Sequence, residues 1–333
     1  MLPHPSLRYA LAGCLLQATV TSARVGIKIP IIIDATTTDT VTFSFLIIFS
    51  VFMGILFLVA MGKAFGLKDE LPPDVSPTKY TTGVLYNWLA FLAVSLWWAQ
   101  LIIYTVYVRD VYLRKPRRGF PDSAYIARYA LDELTDFFIA AAALQLVHYR
   151  LKIHASVTTP FSLFKKAFDV GILLALLGVI GYTTAFLTLS AADPKSESKY
   201  LQWLTSYYVY TGVHVLVVIN VIITILASRK TLKGDFIVDE PVKYLSAIPG
   251  TLFVHALFRI IVAILYSQYR NPKIDYDALR VFEVIVFGLT NLIATGGLSF
   301  SGSKNDEDEK KMKALKELEK QGKLEAAAHN HTK

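Results

Sequence analysis

Seven stretches of this chain are long and apolar, and four of them carry no Asp, Glu, Lys or Arg: Val41–Gly62, Tyr80–Val108, Val170–Ala192 and Tyr200–Ser228. Ala124–His148, Tyr244–Gln268 and Ala278–Ser301 are as apolar around a few charges. At about 1.5 Å of rise per residue, about 20 residues cross a hydrocarbon layer of roughly 30 Å. Only a helix satisfies its own backbone hydrogen bonds on the way. The expected fold class is therefore all-α, a polytopic membrane protein built as a seven-transmembrane-helix bundle. The helices are expected near 41–62, 80–108, 124–148, 170–192, 200–228, 244–268 and 278–301, inside a membrane domain spanning 24–303.

Composition agrees. The chain has 54% hydrophobic and only 18% charged residues, where a soluble domain carries about 25% charged. The net charge of +8 does not imply nucleic acid, because the Lys and Arg residues are scattered through short loops and a tail. Orienting helices against a bilayer explains them better. The lipid bilayer is thus the first expected partner, and the location is an integral, multi-pass position in the plasma membrane or an endomembrane. Cys14 is the single cysteine, so no intrachain disulfide can staple the loops.

Residues 1–23 have a short leader with Arg8, an apolar run from Tyr9 to Leu16, and a polar end at Thr21-Ser22-Ala23. Small residues at −3 and −1 of a cleavage point suit a signal peptide, with a short uncleaved helix as the competing reading. Loop Lys and Arg residues balance across the two sides, and the lysines from Lys304 onward tip the count. That favours the N-terminus outside and the C-terminus cytoplasmic; the basic Arg114–Arg118 cluster argues the other way. The tail 304–333 reads as a solvated charged helix or coil, with one weak apolar face that could meet a cytoplasmic protein or anionic lipid.

Charges inside the apolar stretches are the candidate functional residues. A central charge costs about 2.5–3.5 kcal/mol on insertion scales, so a retained one needs a partner or a wet cavity. The third stretch holds Arg128, Asp132 and Asp136, each four apart on one stripe, with Glu133 beside them. The sixth holds His255 and Arg259, again four apart, and the seventh holds Arg280, Glu283 and Asn291. Arg128, Asp132, Asp136, His255, Arg259 and Glu283 are the ligand or ion-pair candidates. The expected pairing joins the acids of helix three to Arg259, with Glu283 competing for that guanidinium. Two uses compete for the set: locking helices three, six and seven together, or lining a polar cavity between them. Arg128 and Arg280, near helix ends, are expected to snorkel. Tyr207, Tyr210 and His214 share a face and are expected chiefly to pack, and Pro249-Gly250 is expected to bend helix six.

Several chemistries find no residues to run them. The seventh helix lacks the lysine of a retinal Schiff base, and there is no phosphate-binding loop, paired-His zinc motif or nucleophile elbow. No cofactor or metal is expected. Asp132-Glu133-Leu134-Thr135-Asp136 resembles one aspartate-rich motif of membrane prenyltransferases, but a second motif is missing. A membrane terpene cyclase needs only one or two buried acids to protonate its substrate, and Asp136 and Glu283 are the catalytic candidates for that alternative.

Pro249, Phe253-Val254-His255-Ala256-Leu257-Phe258-Arg259-Ile260-Ile261, Asn271-Pro272, Phe282-Glu283 and Gly296-Gly297 together resemble an uncharacterised family of fungal seven-transmembrane-helix integral membrane proteins. The same segment is distantly similar to lipid-translocating exporter-like proteins, in which an Arg in helix six and a Glu at helix seven recur. That resemblance implies roles for Arg259 and Glu283. The expected function is non-enzymatic: receptor-like, or handling a small molecule or lipid in a polar cavity between helices 3, 6 and 7.

Overall fold

The computed structural model describes residues 37–66, 84–113, 122–154, 160–192, 196–231, 247–267 and 276–300, all within a unit that begins at Thr36. The described residues are all helical apart from Ser196. Seven α-helices run in chain order: α1 Thr37–Gly66, α2 Val84–Val108, α3 Asp122–His154, α4 Pro160–Ala192, α5 Glu197–Thr231, α6 Ala247–Ser267 and α7 Tyr276–Phe300. A π-helical turn, Arg109–Leu113, prolongs α2. The expected signal peptide at 1–23, the Arg114–Arg118 cluster and the tail 304–333 lie outside the described residues.

Six of the helices, all but α3, are long and apolar enough to cross a membrane. The chain is a multi-pass membrane protein. Its surface is arranged accordingly: Ile47, Val51, Phe52 and Leu58 of α1, Leu174 and Leu189 of α4, Leu216 and Ile223 of α5, and Phe253, Leu257 and Ile264 of α6 all face outward. Apolar side chains cover the outside while charges collect inside, the reverse of a soluble bundle, as a lipid solvent demands.

Successive helices are neighbours, and α7 returns to pack on α1, closing a ring. α3 also touches α5 and α7 and is the most sheltered element. Among the described residues it presents no exposed large apolar side chain. Ile139, Ala140, Ala141, Ala142, Ala143 and Leu144 are all buried, so α3 is enclosed on every side there. Small side chains let the neighbouring backbones come close, which is how helices associate in lipid. Between α1 and α7 the fit is tight at Gly288, where a Cβ would run into the Phe49 ring.

Hydroxyls along the helices are satisfied locally. Thr42, Ser95, Thr135, Thr183, Thr224 and Thr295 each donate to the carbonyl four residues back, leaving few polar groups for lipid to reject. Other ties cross between helices. Tyr86 donates to the Leu298 carbonyl at 2.6 Å, Tyr208 to the Ala263 carbonyl at 3.2 Å, and Lys63 to the Ser299 carbonyl.

Three sequence expectations need correction. α4 starts ten residues earlier than expected, because Lys165, Lys166 and Asp169, read as loop or its margin, belong to its first turns. Arg109 continues a helix rather than opening a loop. Pro249 is the third residue of α6, in the first turn, where its missing N–H breaks no intrahelical bond, so the expected bend has no cause there.

Candidate functional site

The deepest polar groups meet around Arg259, which rises from α6 and is 2% exposed. One nitrogen, Nη2, lies 2.7 Å from Asp136 Oδ2 and 3.0 Å from Asp132 Oδ2, both on α3. The i,i+4 spacing of the two aspartates puts them on one stripe, so a single guanidinium on the facing helix can engage both. The same Nη2 lies 3.2 Å from His255 Nε2, one turn back on α6. His255 Nε2 also stands 3.3 Å from Asp136 Oδ1, so the ring lies against both the guanidinium and the acid. Its Nδ1 is hydrogen-bonded to Thr290 Oγ1 of α7 at 2.8 Å, and the Thr290 hydroxyl donates to the Val286 carbonyl at 2.8 Å. The chain of bonds thus joins α3, α6 and α7.

α5 closes the cluster. Tyr210 donates to Asp136 Oδ2 at 2.7 Å, and its ring stacks on His214 with centroids 5.8 Å apart and planes 2° from parallel. His214 Nε2 stands 3.7 Å from Asp136 Oδ2. The Arg259 guanidinium also lies 5.3 Å from the Tyr210 ring and 5.0 Å from the Phe287 ring. Tyr210 and His214, expected chiefly to pack, are direct partners of the acid.

Glu283 has a second cation near it: its Oε1 is 4.0 Å from Arg128 Nη2. Arg128 does not snorkel. It is 8% exposed, and its guanidinium lies 3.4 Å over the Tyr104 ring of α2. Arg280 is tied to Asp39 at the start of α1. Both arginines near helix ends turn inward because aromatic faces and carboxylates there offer better company than lipid.

Beside the cluster lies a pocket enclosing about 300 Å³, its open mouth included. Arg128, Asp132 and Glu283 supply its charges, and Trp97, Tyr104 and Phe287 its aromatic walls. Gln100 adds an amide, and Leu46, Leu101 and Val284 complete it. The lining comes from α1, α2, α3 and α7. This pocket shares α3 and α7 with the cavity expected between helices 3, 6 and 7, but α6 contributes none of its lining residues. Asp136 and His255 are likewise absent from the lining. Arg128 and Glu283 sit about 10 Å along the axis from the starts of their helices, so the pocket occupies the half of the bundle where α1, α3 and α7 begin.

Its walls hold unsatisfied polar atoms. Trp97 Nε1, Gln100 Oε1 and Arg128 Nε are buried without a hydrogen-bond partner. Such groups cost about 1–3 kcal/mol each, so a water or ligand partner is expected beside them. Comparison with known proteins gives no match: no family model, no curated protein and no solved structure aligns significantly with the chain. The site must be read from its own chemistry. Among the described residues, no three His, Cys, Asp or Glu side chains are grouped to hold a metal ion.

A second polar network was not foreseen. Asp169 of α4 accepts from His148 Nε2 of α3 at 2.6 Å, from Asn220 Nδ2 of α5 at 2.7 Å, and from Lys165 one turn earlier. Lys165 also donates to Asn220 Oδ1 at 2.9 Å. The available signal was Lys165 four residues before Asp169, directly ahead of a charge-free run. This network clamps α3, α4 and α5 at the end of the bundle away from the pocket.

Proposed function

We propose that this protein is a receptor-like seven-helix membrane protein that takes a small polar molecule into the pocket and registers its presence through α6. In this reading α3 crosses the bilayer with the other six helices, the N-terminus lies outside and the C-terminus in the cytoplasm. At 33 residues, α3 is about 50 Å long, ample for a crossing, and its charges are spent on neighbouring helices rather than lipid.

One observation carries the proposal: Asp132 has two jobs. It lines the pocket and, through Oδ2, accepts from Arg259 at 3.0 Å. Anything that binds Asp132 from the pocket side competes with Arg259, and Arg259 belongs to α6. Occupancy of the pocket is thereby coupled to the α3–α6 contact, the differential interaction that any ligand-driven shift requires. The cyclase alternative is served less well. Asp136 is 3% exposed and off the pocket, so Glu283 alone could meet a substrate.

The test is water access. In full-length protein with Cys14→Ser, a Val284→Cys thiol should react with charged methanethiosulfonates about tenfold or more faster than Ala142→Cys, which sits in the packed core. Equal, slow rates would remove the pocket and the proposal with it.

A further inference from the structure

We infer that the pocket's ligand is a small organic cation, an ammonium group carrying a compact apolar body. This deepens the proposed function and rests on its pocket. Charge is the first reason. Asp132, Asp136 and Glu283 place three carboxylates in the polar interior against two guanidiniums, Arg128 and Arg259. Negative charge left over in a low-dielectric space attracts a cation strongly.

The walls are the second reason. Gln100 is 4% exposed, lines the pocket, and its Oε1 accepts from nothing. It is an unused acceptor beside two carboxylates. Trp97 supplies an aromatic wall of the kind ammonium groups prefer, beside the Tyr104 and Phe287 rings that Arg128 and Arg259 already approach. The protein already makes this interaction once at the same place, with Arg128 lying over Tyr104 and near Glu283. A ligand cation would have the Asp132 and Gln100 side of the pocket, where Arg259 holds Asp132 from behind.

The cation could arrive as a free amine or as the head group of a lipid, and the experiment separates the two. Full-length Cys14→Ser/Val284→Cys protein is placed in nanodiscs of phosphatidylglycerol. It is modified with the trimethylammonioethyl and sulfonatoethyl methanethiosulfonates, each rate divided by that for a free thiol. The expected result is a preference for the cationic reagent of about tenfold or more. Choline should slow the modification, while neohexanol, its uncharged carbon isostere, should not. Slowing when phosphatidylcholine replaces phosphatidylglycerol would name a lipid head group as the source; slowing by free choline alone would name a soluble amine. Both support the inference.

Equal normalised rates would mean that protons already balance the carboxylates, and would overturn it. So would equal protection by neohexanol, or protection by phenylacetate alone, which would assign the pocket to an anion at Arg128. In each of these cases Val284→Cys still reacts, so the pocket stands and only the ligand class falls. An unreactive thiol would instead remove both. Asp132→Asn should reduce the charge preference; if that variant does not fold, the choline and neohexanol comparison decides without it.

Discussion

Arg259 is the residue on which the interior depends. It is the shared partner of Asp132 and Asp136, and removing one member of a buried ion group strands the others. Arg259→Ala is therefore expected to cost about 3–5 kcal/mol, read as a lower unfolding midpoint in detergent. Arg259→Met combined with Asp132→Asn and Asp136→Asn should recover much of that loss, since neutral groups of similar size need no counter-charge. A single Arg259→Ala variant as stable as the parent would show that the aspartates have other support. At this scale the sequence was only partly legible. The i,i+4 spacings placed Asp132, Asp136, His255 and Arg259 on facing stripes, and three of the resulting contacts involve Arg259. The pairing of Asp132 and Asp136 with Arg259 was legible; the place of Glu283 beside Arg128 was not. Which cation Glu283 meets depends on how α7 is rotated against its neighbours, and no local pattern encodes that rotation. Tyr210 was hidden for a similar reason, as one aromatic among several on α5.

At the scale of the element, α3 is the exception that explains the others. Six helices are legible from hydropathy because they meet lipid, and lipid enforces an apolar exterior. α3 meets mostly protein, so it can carry Arg128, Asp132, Glu133 and Asp136 without exposing them. Its helical character was legible, its enclosure was not. The early start of α4 is not legible because Lys165, Lys166 and Asp169 resemble a polar loop. Yet Lys165 and Asp169 point to one network while Phe164 and Phe168 face outward. If α3 crosses the bilayer, cysteines placed before and after it must lie on opposite sides. With Cys14→Ser as background, Gly119→Cys and Ser156→Cys should be labelled by an impermeant maleimide from opposite faces of sealed vesicles. Labelling of both from one face would leave α3 on the surface and reverse every later helix.

For the whole molecule, two polar networks divide the work. The His148, Lys165, Asp169 and Asn220 network holds α3, α4 and α5 at one end. The Arg259 cluster joins α3, α5, α6 and α7 in the interior, with the pocket beside it. The long apolar stretches announced a membrane bundle, and the few charges inside them located its polar interior. The pocket draws on α1, α2, α3 and α7, whereas the polar residues of the sequence point to α3, α6 and α7, because the charges in front of α6 are paired with one another. The central claim is that Asp132 transmits pocket occupancy to α6. Its most direct test is the distance between spin labels at Leu151→Cys on α3 and Ala247→Cys on α6, in Cys14→Ser protein, with and without saturating choline. The account expects the distance distribution to move by about 1–2 Å or more, the scale of helix shifts in switching proteins, and to stay still in Asp132→Asn. An unmoved distribution in protein whose Val284→Cys thiol is protected by choline would show binding without transmission, and would contradict it.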